Sequence, residues 1–465
     1  MRILYIDIDS LRADHVGAYG YDGATTPNLD EFADDAVAFE NAYVANSPCL
    51  PSRAALLSGR YGTNNGVETH GPQSQQLTHP AHEVQWAGTW SGHVPGRQWW
   101  SLPRLCYEKR VPTLAVSSFP RHPAPWFHDT WHEVHQPQEP VGKRESFQTP
   151  RAESVVDSTV DVLSRYAERD WFAYVQLWDP HGPYLRSDEE VARFEDVPMP
   201  PHPTAERIAD HQEWDAWRSA SHMDIDDRDD LRQLIANYDA EIHYADHHLG
   251  RLFDYLRANG LYDDSLIVVT ADHGEEFGEH GLYREHWSTH DGTQRVPLLV
   301  KPPADTPFEA GDRSQLVTNV DMAPTLADYA GFEAPARWQG VSLRPVLESA
   351  EESWRDAIFV DHGLYTAQRA LRTDQWKLIK TAHPGMWDGV IPETQLYDLE
   401  ADPWEQSDRA EANPDVVSRL EDQLTSLVEE YQQNGQDTLE TVATSGPSGY
   451  LAFRDEFEGV ARPLE

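Results

Sequence analysis

Apolar runs of strand length alternate with helical periodicity along most of this chain. Four runs predict strands, at residues 2–8, 111–119, 172–178 and 266–270. Apolar residues at helical spacing predict amphipathic helices over 153–168 and 231–256. Strands that alternate with helices are typical of an α/β domain, and the continuous apolar run 266–270 indicates a central parallel strand.

The pattern changes character near residue 355. Short strand-like runs at hairpin spacing follow, at 357–360, 370–372 and 376–379. A helix over 414–431 comes after them, and the Gly-, Ser- and Thr-rich residues after 432 predict only a tail. We therefore predict one large α/β domain over 1–355 and a small α+β subdomain with an antiparallel sheet over 356–465. A chain of 465 residues is long enough to bury both cores.

The composition is strongly acidic, with 79 acidic and 37 basic residues and a formal charge of −42. Such a surface repels nucleic acids and anionic membranes, so we expect neither as a partner. We interpret the charge as an adaptation to high salt and expect a halophilic source; a dedicated basic partner is the alternative. An anionic substrate would need local positive charge at its site.

Two further features bear on the compartment. Only Cys49 and Cys106 are present, so a disulfide framework is not expected. The chain enters a strand directly after Met1 and has no apolar run of membrane-spanning length. We therefore expect a cytoplasmic protein.

Cys49 stands just before the position where the periodicity predicts that a helix begins. Pro51 suits a first helical turn, and Gly59 is a plausible helix stop. Backbone N–H groups at such a position favour a thiolate or an anion, and Arg53 carries a guanidinium fork that suits tetrahedral oxyanions. On the cysteine alone, a buried structural thiol is the simpler interpretation.

The order of residues in this segment resembles the signature of the type I sulfatases, in the alkaline phosphatase superfamily. Residues 49–53 match Cys-x-Pro-x-Arg, and Leu-Leu-Ser-Gly-Arg follows at 56–60. The resemblance implies that a formylglycine-generating enzyme, a transient partner, oxidises Cys49 to formylglycine, whose hydrated aldehyde is the nucleophile. It also implies an alkaline-phosphatase-like sandwich: a large, mixed, mainly parallel sheet flanked by helices, plus a small C-terminal antiparallel sheet.

Acidic residues and a histidine follow two of the predicted strands. Asp7 and Asp9 alternate with apolar residues and therefore point to one face of the first strand. A hard-cation site and a helix cap at Asp9 are both open from the residues alone. The resemblance implies one divalent cation, Ca²⁺ first with Mg²⁺ or Mn²⁺ open, held by Asp9, Cys49, Asp272 and His273. The family has a second acid where Ser10 stands, so whether Asp7 or Ser10 joins the site is open.

The resemblance implies further basic contacts to the sulfate. His181 lies in a proline-flanked turn similar to the family's sulfate-contacting turn, and would donate to the ester oxygen. Arg121 and His122 resemble the family's basic pair in place; a solvated loop is the alternative. The family commonly has a lysine in the segment that corresponds to residues 278–297; this segment has none, and His286 falls closest to that position, with His290 as the alternative.

The resemblance as a whole implies that the protein hydrolyses sulfate monoesters to sulfate and an alcohol. The substrate would be a small molecule or a carbohydrate sulfate ester. A phosphonate monoester or phosphodiester hydrolase on the same scaffold is the alternative, because Ser10 and His273 indicate a less acidic metal site. An alternative of a different class is a non-catalytic anion- or glycan-binding protein with an unmodified Cys49.

Overall fold

The computed structural model describes residues 1–70, 101–119, 124, 127, 131–138, 151–214, 225–349, 354–432 and 437–451. Its strands are β1 (Arg2–Ile8), β2 (Val37–Tyr43), β3 (Asn46–Ser47), β4 (Thr113–Val116), β5 (Glu133–His135), β6 (Trp171–Leu177), β7 (Ser265–Ala271), β8 (Glu276–Phe277), β9 (Tyr283–Glu285), β10 (Leu298–Lys301), β11 (Gly311–Thr318), β12 (Ala357–His362), β13 (Ala367–Thr373), β14 (Trp376–His383) and β15 (Thr394–Asp398).

The helices cover the sheets and fill the connections between strands. They are α1 (Pro27–Asp34), α2 (Cys49–Ser58), α3 (Gly62–Asn65), α4 (Leu102–Glu108), α5 (Ala152–Tyr166), α6 (Asp188–Val191), α7 (Ala205–Gln212), α8 (Arg228–Ala258), α9 (Asp291–Gln294), α10 (Met322–Tyr329), α11 (Arg344–Ser349), α12 (Pro414–Tyr431) and α13 (Thr438–Ser445). None of these helices has both the length and the apolar composition that crossing a membrane requires.

The large sheet has eight strands in the order β11-β2-β10-β7-β1-β6-β4-β5. Strand β1 pairs in parallel with β6 and β7, whereas β10 is antiparallel to both of its neighbours, β7 and β2. Ile8 lies beside Leu177 and Ala271, so the carboxyl ends of these three strands meet at one edge. The predicted mixed, mainly parallel sheet is confirmed.

Alternation along β1 explains why helices lie on both faces of this sheet. Leu4, Ile6 and Ile8 belong to one buried cluster, which includes apolar residues of α5 and α8. Ile3 and Tyr5 point the other way, into a cluster with apolar residues of α2 and α10. A strand that is apolar on both faces must be covered on both.

The second sheet has the order β15-β14-β13-β12-β3, so its edge strand comes from the N-terminal part of the chain. β3 pairs in parallel with β12, while the other pairs are antiparallel, and α12 packs on this sheet through Leu420 and Leu424. The C-terminal antiparallel sheet is confirmed, and the domain boundary at 355 stays a prediction.

Three element boundaries differ from the sequence expectation. Helix α2 begins at Cys49 itself rather than after it, and the strand expected within 111–119 is limited to Thr113–Val116. Helix α13 lies in the segment after residue 432, where only a tail was expected. Its buried Leu439 and Val442 pack against Ala367, so contacts with β13 order a sequence that is rich in Gly, Ser and Thr.

Candidate active site

Three elements place polar side chains at the carboxyl edge of the large sheet. Asp9 follows β1, Asp272 and His273 follow β7, and Cys49 begins α2. All four side chains are buried, and one ligand atom from each lies within 4.8 Å of the others. The structure therefore brings together the four residues that the sequence analysis assigned to the metal.

Arg53 stands at the centre of this cluster and is fully buried. Its Nε lies 2.8 Å from Asp7 Oδ2, its Nη2 lies 2.9 Å from Asp9 Oδ2, and its Nη1 lies 2.8 Å from Asp272 Oδ2. One guanidinium therefore faces three carboxylates. Tyr174 adds a donor, because its hydroxyl hydrogen-bonds Asp7 Oδ2.

Burial raises the pKa of Asp272 well above its usual range, and it also raises the pKa of Asp7. Burial acts in the same direction on Asp9, but the charge and the hydrogen bond of Arg53 outweigh it, so the pKa of Asp9 ends below its usual range. One guanidinium leaves the buried carboxylates short of positive charge. A divalent cation would supply that charge, so these residues fit a metal.

His273 is held as a neutral imidazole that faces the cluster. Its Nδ1 donates to the carbonyl oxygen of Gly274 at 2.8 Å, and its Nε2 lies 3.1 Å from Cys49 Sγ. Burial lowers the pKa of His273 to about 3. With the proton fixed on Nδ1, the lone pair of Nε2 is free to bind a metal.

Cys49 itself differs from the sequence expectation. Burial raises the pKa of its thiol well above the usual value, and the charges of Asp9 and Asp272 add to the effect. In the protein alone these influences outweigh those of the helix start, so residue 49 is a neutral thiol and not the expected thiolate.

The structure distinguishes the two histidines proposed in place of the family lysine. The ring of His286 stacks on that of His273, with 4.1 Å between the ring centroids. One potential ligand atom from each of Cys49, His273 and His286 lies within 4.8 Å of the other two. His290 instead stacks on His280, with 3.6 Å between centroids, and its Nδ1 lies 2.9 Å from Ser288 Oγ. Only His286 lies in the site.

His181 lies beside His286, with 6.0 Å between the ring centroids, and its side chain is half-buried. Ser10 is buried beside the two carboxylates: its N–H donates to Asp272 Oδ1 at 3.2 Å, and its Oγ donates to Asp9 Oδ1 at 3.1 Å. Arg121 and His122 lie outside the described residues.

Two residues of the site had no role in the sequence analysis. Tyr174 lies on β6, and its sequence neighbours give no sign of its contact with Asp7 and Arg53. Glu275 is buried, and its Oε1 lies 3.4 Å from His286 Nδ1. The only signal in the sequence for a role of Glu275 is its position two residues after His273.

Comparisons with known proteins agree with this arrangement. The family model described as Sulfatase matches residues 2–332, and a model described as the C-terminal part of N-sulphoglucosamine sulphohydrolase matches residues 278–432. An N-acetylglucosamine-6-O-sulfatase from Bacteroides thetaiotaomicron is 25% identical over 96% of this chain and 89% of its own length.

Solved structures resemble the fold over almost the whole chain. A protein in complex with its substrate D-glucosamine-2-N,6-O-disulfate matches with a TM-score of 0.68 and 21% identity, over 94% of this chain and 99% of that one. A phosphonate monoester hydrolase of Agrobacterium radiobacter matches with a TM-score of 0.70 and 21% identity, over 92% and 96% of the two chains. The expectation of a halophilic source is not borne out by these comparisons.

Proposed function

Because this chain belongs to the sulfatase family and is a sulfuric ester hydrolase, we propose that Cys49 is the precursor of its nucleophile. The proposal rests on the position of the Cys49 side chain. Its sulfur lies 3.1 Å from His273 Nε2, in one cluster with Asp9 and Asp272. After oxidation to formylglycine, the hydrated aldehyde at position 49 would present its oxygen to that cluster.

We propose that Asp9, Asp272, His273 and residue 49 hold one divalent cation. Two carboxylates and one imidazole suit Ca²⁺, and they also suit Mg²⁺ or Mn²⁺. The cation would supply Lewis-acid polarisation of the nucleophile's oxygen and of a sulfate oxygen.

The remaining residues of the site would position the substrate and move protons. Arg53 holds Asp9 and Asp272 in place through two ion pairs. His286 would contact the sulfate where the family commonly has lysine. His181, half-buried at the outer side of His286, would give a proton to the oxygen of the departing alcohol as the sulfur–oxygen bond breaks.

A sulfated carbohydrate is the substrate class that we propose. The matched relative is named for a sulfated N-acetylglucosamine, and one matched structure holds a glucosamine disulfate. Conversion of Cys49 would require a formylglycine-generating enzyme as a transient partner. A cytoplasmic location also stays a prediction.

Hydrolysis of phosphonate monoesters or phosphodiesters is the second candidate. Ser10 donates hydrogen bonds to Asp9 and Asp272, and it stands where the family has a second acid. This substitution leaves the proposed metal site with one acid fewer. A phosphonate monoester hydrolase is among the proteins of the same fold. Relative activity on 4-nitrophenyl sulfate and bis(4-nitrophenyl) phosphate discriminates between the two candidates.

Mass spectrometry of the peptide that contains residue 49, combined with the variant Cys49→Ala, tests the proposed nucleophile. We expect a formylglycine mass in protein from its own host, and loss of turnover of 4-nitrophenyl sulfate by at least about 10³-fold in the variant. Cys106→Ala is the matched control, because Cys106 is also buried but does not belong to the groups of described residues that could hold a metal ion. Undiminished turnover in Cys49→Ala would contradict the proposal.

A further inference from the structure

Arg284 occupies a β-bulge beside the active site. In the pair formed by β8 and β9, Glu276 lies opposite Glu285 and Phe277 lies opposite Tyr283, so Arg284 is the extra residue between them. Its φ is +56°, in the left-handed region that side chains rarely adopt. Bulges next to active sites commonly redirect one side chain. In this bulge the residues on either side of Arg284 pair with β8, and Arg284 does not.

The side chain of Arg284 lies against the turn that carries His181. A β-carbon placed on Gly182 would lie 3.5 Å from Arg284 Cδ and 3.7 Å from Arg284 Nε. Gly182 directly follows His181, whose ring lies 6.0 Å from that of His286. Arg284 is half-buried, whereas Arg53 is fully buried. Arg284 is therefore more exposed to solvent than Arg53, and it lies beside the turn that carries His181.

Arg284 also lacks the partners that other arginines of this region have. Arg12 and Arg53 pair with buried carboxylates at 2.6–2.9 Å. Among the residues that the structure describes, Arg284 makes neither a hydrogen bond nor an ion pair. The charge of Arg284 acts on the buried Glu275 and Tyr184, but neither of them forms a hydrogen bond or an ion pair with its guanidinium. Its five donors remain available to a ligand.

We propose that Arg284 binds a second anionic group of the substrate, a carboxylate or a second sulfate next to the ester that is cleaved. The proposal rests on the proposed function, because it places the scissile sulfate at the cluster of Cys49 and His273. A second anion on the solvent side of His181 would then meet the donor fork of Arg284, whose geometry suits bidentate contact with either group. Arg284 is thus a specificity-determining residue, and the preferred substrates are esters with at least two negative charges.

The test compares 4-nitrophenyl sulfate with the same ester carrying a carboxylate next to the sulfate. Arg284→Gly removes the guanidinium and is expected to fold, because glycine adopts a φ of +56° without strain. Arg284→Lys retains the charge without the fork. Arg419→Gln is the matched control, since it removes one positive charge from an exposed position on α12.

We expect Arg284→Gly to lower kcat/KM for the carboxylated ester by about tenfold or more, mainly through KM, with an intermediate loss in Arg284→Lys. Turnover of the plain ester should stay within about twofold of wild type. An equal loss on both esters, or no loss on either, would overturn the proposal.

If the wild-type protein cleaves neither ester, the proposed function fails, and calorimetric titration with the two esters decides the role of Arg284 separately. At least about tenfold weaker binding of the carboxylated ester alone by Arg284→Gly supports that role. Equal binding by wild type and variant overturns it.

Discussion

At the scale of single residues, Arg53 determines the arrangement of three acids on two strands. Asp7 lies near the end of β1, Asp9 directly follows β1, and Asp272 directly follows β7. Only a planar fork with donors on three nitrogens can contact all three at 2.8–2.9 Å. Lysine, as a point charge, would leave at least one buried carboxylate without a close partner.

His286 and His290 form a matched pair of histidines for testing the position of the family lysine. We expect His286→Ala to lower kcat/KM for 4-nitrophenyl sulfate by about 10²–10³-fold, because it removes a polar contact beside Cys49 and His273. His290→Ala should stay within about threefold of wild type, since His290 stacks on His280 and contacts Ser288. Steady-state kinetics on both variants is the measurement. A larger loss in His290→Ala would contradict this assignment.

The sequence predicted the cluster of Asp9, Cys49, Asp272 and His273 better than it predicted the surroundings of that cluster. Asp9, Asp272 and His273 each follow an apolar strand, and strand order alone brings such positions to one edge. The choice between His286 and His290 depended on how the chain folds back after β9, which periodicity does not determine. The contact between Tyr174 and Asp7 depended on the register of β6 against β1.

At the scale of elements, β3 joins the two sheets. Its two residues pair with Asp361 and His362 of β12, and the chain reaches Cys49 two residues after Ser47. Side chains strengthen the pairing, because Ser47 Oγ lies 2.8 Å from His362 Nδ1 and accepts a hydrogen bond from Gln294 Nε2 at 2.6 Å. No hydrophobic pattern predicts this strand, because two residues are too few to show a period.

The buried His362 should make stability depend on pH. Burial lowers its pKa to about 3, whereas in the unfolded chain it takes up a proton near pH 6.5. The unfolded state therefore binds more protons below pH 6.5, so the contribution of His362 to stability falls as pH falls. Between pH 6 and pH 4 we expect wild type to lose about 2 kcal/mol more than His362→Asn, measured by urea unfolding.

His247→Asn is the control for this measurement, because the side chain of His247 is exposed on α8. It should leave the slope of stability against pH as in wild type. Equal slopes in wild type and His362→Asn would show that His362 does not stay neutral in the folded protein.

At the scale of the whole molecule, the charge of −42 should oppose folding at low salt. The Debye length falls from about 10 Å at 0.1 M salt to about 3 Å at 1 M. We therefore expect the thermal midpoint to rise by a few degrees between 0.1 M and 1 M KCl, in the presence of a chelator that removes divalent cations. Tetramethylammonium chloride should give the same rise if screening is the cause. A midpoint that does not rise with either salt would contradict this prediction.

The overall architecture could be predicted because β1, β6 and β7 are apolar on both faces, a pattern that fits few folds other than a covered parallel sheet. The helix after residue 432 could not be predicted, because contacts of Leu439 and Val442 with the C-terminal sheet stabilise it. Local sequence predicts an element when its own pattern stabilises it, and not when a distant partner does.

The burial of Cys49 has a consequence for how the enzyme is made. Another protein cannot reach a side chain that is 2% exposed, so the proposed oxidation must precede folding of the site. His273, which covers the thiol, lies 224 residues further along the chain. At about 5–20 residues per second, the ribosome needs roughly 10–45 s to add them. The modifying enzyme therefore has to act within about this interval. Slower synthesis lengthens the interval, so it should raise the fraction of active enzyme.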